Sequence, residues 1–116
     1  MKLKEVIKLL DAEVLVGNGD EMEFAAACGS DLMSDVMAYV KENVLLLTGL
    51  VSPQVIRTAE MMDIKAVVFV RGKSPDQATL DLAAEKGIVV LATRNSMFIA
   101  CGKLYKSGLT GNGSWK

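Results

Sequence analysis

The chain has 116 residues, 51 % of them apolar and only 5 % aromatic, with a formal net charge of -1 and no histidine. That length supports one domain around one aliphatic core, and the balanced charge provides no basic face with which to neutralise the phosphates of a nucleic acid. The missing histidine excludes Ser-His-Asp and Cys-His nucleophilic machinery, histidine-ligated zinc and the usual near-neutral general base.

Leu3, Val6, Ile7, Leu9 and Leu10 keep a helical period, which predicts a first helix over residues 3 to 11. Glu13 to Gly17 reads as a short strand, stopped by the turn-forming run Gly17-Asn18-Gly19-Asp20. Glu23 to Cys28 reads as a second, weaker strand, since alanine has low β propensity. Ser30 or Asp31 is placed to cap a helix over residues 32 to 41 that turns Leu32, Val36, Met37 and Val40 inward.

Three units of one pattern follow, each an apolar run, a polar turn and an amphipathic segment. They are 44–49 with 52–63, 66–70 with 74–86, and 88–92 with 96–107. Ser52-Pro53 and Ser74-Pro75 each predict a helix start, with serine at the N-cap and proline where its missing amide costs nothing. Gly87 and Gly108 are expected to end the helices before and after the last strand. Strands apolar on both faces and separated by helices imply a parallel sheet covered by helices, so the fold expected is a three-layer α/β/α domain over residues 1–109. Residues 110–116 have no periodicity and read as a flexible tail, Trp115 included.

No run approaches the about 18 apolar residues of a membrane span, and the segment Met1 to Glu5 lacks the apolar stretch of a signal peptide. A cytoplasmic protein is expected, with Cys28 and Cys101 as reduced thiols. So many apolar residues in a short chain also point to burial against a second copy, hence a homodimer.

In parallel α/β sheets ligands bind in the crevice at the strand carboxyl ends. Here those ends carry Thr48-Gly49, Arg71-Gly72-Lys73 and Thr93-Arg94-Asn95. Arg71, Lys73 and Arg94 supply positive charge, Thr48 and Thr93 supply hydroxyls, and Gly49 and Gly72 allow close backbone approach. An anionic small molecule or a nucleotide is the ligand class expected. Neither Gly-x-Gly-x-x-Gly nor Gly-Lys-Ser/Thr occurs, so no dinucleotide fingerprint or Walker loop is present, and no cofactor is named. Asp31, Ser34 and Asp35 are spaced to share a magnesium ion, but helix capping and the helix dipole explain the two acids. A thiol near a lysine, as Cys101 is near Lys103, can be acidified, but a buried cysteine acting as a small apolar residue is the commoner case.

The order of segments from about Asp31 to Leu109 resembles the DRTGG domain, a module related in fold to the N-terminal domain of HPr kinase/phosphorylase. The matching stretches are Asp31-Leu32-Met33-Ser34-Asp35-Val36, Leu47-Thr48-Gly49, Ile64-Lys65-Ala66-Val67-Val68 and Gly87-Ile88-Val89-Val90-Leu91-Ala92-Thr93. Leu50-Val51 stands where the family typically has Asp-Arg, and Val70-Arg71-Gly72 replaces Thr-Gly-Gly, so the chain looks like a divergent stand-alone branch.

The family's domain is usually an accessory, found beside CBS domains in regulatory pyrophosphatases and in some phosphate acetyltransferases. Its stand-alone members occur in anaerobes, some near hydrogenase-related genes. The resemblance implies a dimerising regulatory or ligand-sensing module without catalysis of its own. The alternative is a docking subunit of a redox complex that takes no small ligand and exposes a Met- and Leu-rich patch.

Overall fold

The computed structural model describes residues 1–18, 21–39 and 43–111. Helices α1 (Leu3–Leu10), α2 (Met33–Tyr39), α3 (Pro53–Met61), α4 (Gln77–Lys86) and α5 (Met97–Lys106) alternate with five strands. The strands are β1 (Glu13–Val16), β2 (Ala26–Gly29), β3 (Val44–Thr48), β4 (Ala66–Phe69) and β5 (Val89–Ala92), in the sheet order β1-β5-β4-β3-β2. Strands β2 to β5 are mutually parallel, and β1 runs antiparallel along β5 with an irregularity between Val14 and Val16.

Alternation along the strands divides the core in two. Leu46, Val67, Phe69 and Val90 pack toward Met33 and Val36 of α2, Val55, Ile56 and Ala59 of α3, and Ala83 of α4. Leu45, Leu47, Val68 and Leu91 pack on the opposite face against Leu3, Val6 and Leu10 of α1 and Ala100 and Leu104 of α5. All five residues of β3 are buried, so the unbroken apolar run is a sheet centre with helices on both faces. Fully burying one leucine there stabilises by roughly 1.5–3 kcal/mol.

Four local expectations are corrected. The second strand begins at Ala26 rather than Glu23, because Glu23 bridges Lys2 and the Phe24 amide donates to the Met1 carbonyl at 2.8 Å, tying this segment to the chain's start. In α2 the buried pair is Met33 and Val36, whereas Leu32 precedes the helix and is 58 % exposed and Met37 is also exposed. Val40 lies outside the described residues, as do Gly19, Asp20 and 112–116 with Trp115.

The third correction concerns the second serine–proline start. Ser52 caps α3 as expected, accepting from the Gln54 amide at 3.1 Å with Pro53 in the first turn. Helix α4 instead starts at Gln77, capped by Asp76, whose Oδ1 accepts from the Thr79 amide at 2.9 Å and the Thr79 hydroxyl at 2.7 Å. A carboxylate with two donors outcompetes a neutral serine two residues upstream. The Thr79 hydroxyl, then its amide, also hold the Asp76 carboxyl below its ordinary 3.8.

Last, Ser30 and Asp31 do not cap α2 as expected. The Ser30 hydroxyl accepts from the Leu32 amide at 3.0 Å, ahead of the helix, and Asp31 reaches across to β3. Gly87 does terminate α4, in the left-handed conformation at φ 70°.

Candidate functional site

Parallel pairing of β2 to β5 brings Gly29, Thr48, Phe69 and Ala92 to one edge of the sheet. Antiparallel β1 adds its first residue, Glu13, and the end of α1 to that edge, since Glu13 pairs with Ala92. The residues expected to bind a ligand fall there into two groups.

The first group surrounds the turn after β3. Thr48 is fully buried, and its hydroxyl donates to Asp31 Oδ1 at 3.2 Å while accepting from the Leu50 amide at 3.1 Å. The Gly49 amide donates to the same Asp31 oxygen at 2.6 Å. Arg71 approaches the other oxygen, Nη2 to Oδ2 at 3.5 Å, and both side chains are about half exposed, at 47 % and 52 %. An ion pair so exposed contributes only about 0–1 kcal/mol, whereas a backbone amide bonded to a carboxylate is shorter and roughly twice as strong as a neutral bond. The amide and hydroxyl therefore hold Asp31, and Arg71 adds charge.

Gly49 is required by that arrangement. A Cβ on it would collide with the guanidinium, lying 2.7 Å from Arg71 Cζ. Arg71 takes a left-handed backbone conformation, φ 66°, which a side chain adopts only when its surroundings impose it. What imposes it is the neighbouring strand end, where the Arg71 amide donates to the Asn95 carbonyl at 2.8 Å and the Gly72 amide to the Thr93 carbonyl at 2.9 Å.

The second group lines a cavity of about 400 Å³ beside β5, whose lining includes Gly72, Thr93, Arg94 and Lys103 together with Asp11 and Glu13. Thr93 is buried, and its hydroxyl donates to the Leu10 carbonyl at 2.6 Å, joined by the Asn95 amide group at 3.1 Å. Lys103 Nζ in turn donates to Asn95 Oδ1 at 3.3 Å. Thr93 thus ties the open end of α1 to the sheet and has no hydrogen left for a ligand, while Arg94 and Gly72 face the cavity. Lys73 is exposed and lines neither group.

Asp31 is the residue that sequence reasoning places wrongly, as a helix cap, whereas its carboxylate bonds the Gly49 amide and the Thr48 hydroxyl. The register could have found it: β2 pairs with β3 at a constant offset, Gly29 opposite Leu47, which continued two residues sets Asp31 opposite Gly49. Asp31 and Arg71, drawn from two other strand ends, stand together at the turn where Leu50 and Val51 follow Thr48-Gly49. Among the described residues no three of His, Cys, Asp and Glu gather to hold a metal ion.

The thiols lie elsewhere. Cys101 Sγ sits 3.8 Å from Met97 Sδ and closes over Gly29, where a Cβ would come within 2.7 Å of the sulfur. Burial pushes both thiols above their ordinary value, and for Cys28 the neighbouring Cys101 and Asp35 push further in the same direction. Neither has the acidified surroundings of a reactive cysteine.

The DRTGG domain profile matches residues 5–106, nearly the whole chain. The chain belongs to the DRTGG domain family. Among solved structures it is similar to the CBS and DRTGG domains of the regulatory region of Clostridium perfringens pyrophosphatase, crystallised with the activator diadenosine tetraphosphate. The TM-score is 0.72 at 14 % identity, and the match covers 97 % of this chain and 51 % of that one. The chain therefore shares the fold and spans about half the length of that regulatory region. No curated protein matches its sequence significantly. Among the described residues no helix is long and apolar enough to cross a membrane.

Proposed function

We propose that the chain is a regulatory module that senses an anionic small molecule or nucleotide at the carboxyl edge of its sheet and carries out no catalysis. The observation that carries this reading is the oxygen seat at the turn after β3, where the Gly49 amide, the Thr48 hydroxyl and Arg71 converge on one carboxylate. Such a set of donors suits a phosphate or carboxylate oxygen equally well. The cavity beside β5, lined by both cations, Arg94 and Lys103, and acids, Asp11 and Glu13, has room and charges of both signs for a nucleotide's phosphates and its polar remainder.

Membership of the family supports a regulatory role, and the pyrophosphatase regulatory region was solved with a nucleotide activator. In this reading Thr48, Gly49, Arg71, Gly72 and Arg94 meet the ligand, Lys73 adds charge from outside the two groups, Thr93 holds the floor of the site, and the protein acts as a homodimer in anaerobic or hydrogenase-linked metabolism. Thermal shift against nucleotides, acyl phosphates and inorganic phosphate tests it, because a ligand that binds only the folded state raises the melting temperature. A concentration-dependent rise that disappears when Arg71 and Lys73 are both replaced by alanine is the expected outcome. An unchanged affinity in that double variant removes the two residues from the site.

One observation favours a second reading, a docking subunit. Helix α5 exposes Phe98 at 84 % and Tyr105 at 71 %, beside a shallow apolar groove floored by Cys101 and Gly102. Two solvent-facing aromatics two turns apart on a single helix are the usual material of protein interfaces. A flat thermal-shift response to every anion would move the assignment to this face.

A further inference from the structure

We infer that Asp31 is a built-in competitor that occupies the anion seat until a ligand displaces it. The inference rests on the anion-sensing reading above. Three donors from two strand ends converge on a side chain from a third, and that side chain is the only one of the partners carrying negative charge. Its Oδ1 takes both the Gly49 amide and the Thr48 hydroxyl, which are the donors a phosphate oxygen would need. Asp31 itself stays half exposed, so water and ligand can reach it, whereas Thr48 behind it is fully buried and fixed in place. The Thr48 hydroxyl and the Gly49 amide are therefore held in place, while Arg71 and the acceptor Asp31 are free to exchange.

Displacement would have a structural consequence. Asp31 lies two residues before the first residue of α2, and its bond to Gly49 crosses from that helix's lead-in to the turn after β3. The residues on either side of the latch are unequal in their anchoring. Met33 and Val36 are buried in the core, but Leu32 and Met37 face solvent. Releasing Asp31 loosens the Ser30–Leu32 lead-in while the core contacts of α2 persist. Occupancy of the seat is thereby coupled to the surface that Leu32 presents.

An occupied seat lowers apparent affinity by the fraction of time it is open. Inorganic phosphate, titrated calorimetrically into the full chain, tests this with four proteins: wild type, Asp31→Ala, Asp31→Asn and Arg71→Ala. Asp31→Ala is expected to bind phosphate about tenfold more tightly than wild type, the size of a charged hydrogen bond's competition. Asp31→Asn, which keeps an acceptor oxygen for Gly49 without the charge and so guards against misfolding, is expected to fall between the two. Arg71→Ala is expected not to bind. If wild type binds and Arg71→Ala does not, but both Asp31 variants bind no more tightly than wild type, the competitor role is overturned and the anion site stands. If none of the folded proteins binds phosphate, both the site and the competitor fall.

Discussion

Two threonines end neighbouring regions of the same sheet edge, and they are put to opposite uses. Thr93, after β5, gives its hydroxyl to the Leu10 carbonyl, a neutral partner sealed beneath the surface. Thr48, the last residue of β3, is equally buried but gives its hydroxyl to Asp31, a charged and half-exposed side chain. The first bond joins the end of a helix to the sheet and has nothing to exchange with. The second ends on a group that another anion can replace. Two buried threonines at one sheet edge, a single residue apart in register, thus divide into fixture and receptor according to what lies opposite them.

That contrast is open to attack by mutation. Thr93→Val should cost the most stability, about 1–3 kcal/mol, because it strips a donor from a buried carbonyl that only Asn95 then serves. Thr48→Val should cost less, about 0.5–1.5 kcal/mol, since Asp31 keeps the Gly49 amide and can turn to water. Urea denaturation of the two variants compares them directly, and equal losses would erase the distinction. Gly49→Ala should push the Arg71 guanidinium aside rather than distort the backbone, at a cost below about 1 kcal/mol in the same assay, because only an exposed ion pair is lost. Lys103→Ala, which removes one exposed bond to Asn95, should stay within about 0.5 kcal/mol. A larger loss would mean that the fixture around Thr93 extends to the rim of the cavity.

Much of the architecture could be read from the residues, and the failures have a common cause. The runs 44–48, 66–69 and 89–92 are apolar on both faces, which leaves little choice but a covered parallel sheet. The start of α4 is not legible locally because Ser74-Pro75 has the same form as Ser52-Pro53, while the deciding carboxylate, Asp76, works through Thr79. The second strand was begun too early because Glu23 and Phe24 are claimed by Lys2 and Met1, more than twenty residues away. In the site, the strand-end residues Thr48, Gly49 and Arg71 follow from topology, but Asp31 follows only from the register of β2 on β3. Local pattern reveals which elements form, and partners distant in the chain decide where they begin and what they touch.

The rims of the sheet bear on how such a module can be assembled with others. At one rim β1 is only four residues long, is irregular between Val14 and Val16 and shows Glu13 and Val14 to solvent. At the other, β2 is already spoken for, since its Ala27 amide donates to the Thr110 carbonyl at 2.9 Å and Thr110 bridges Ala26. Short, bent or covered edges discourage the addition of a foreign strand. Growth of the sheet from one molecule into the next is thus discouraged at both ends.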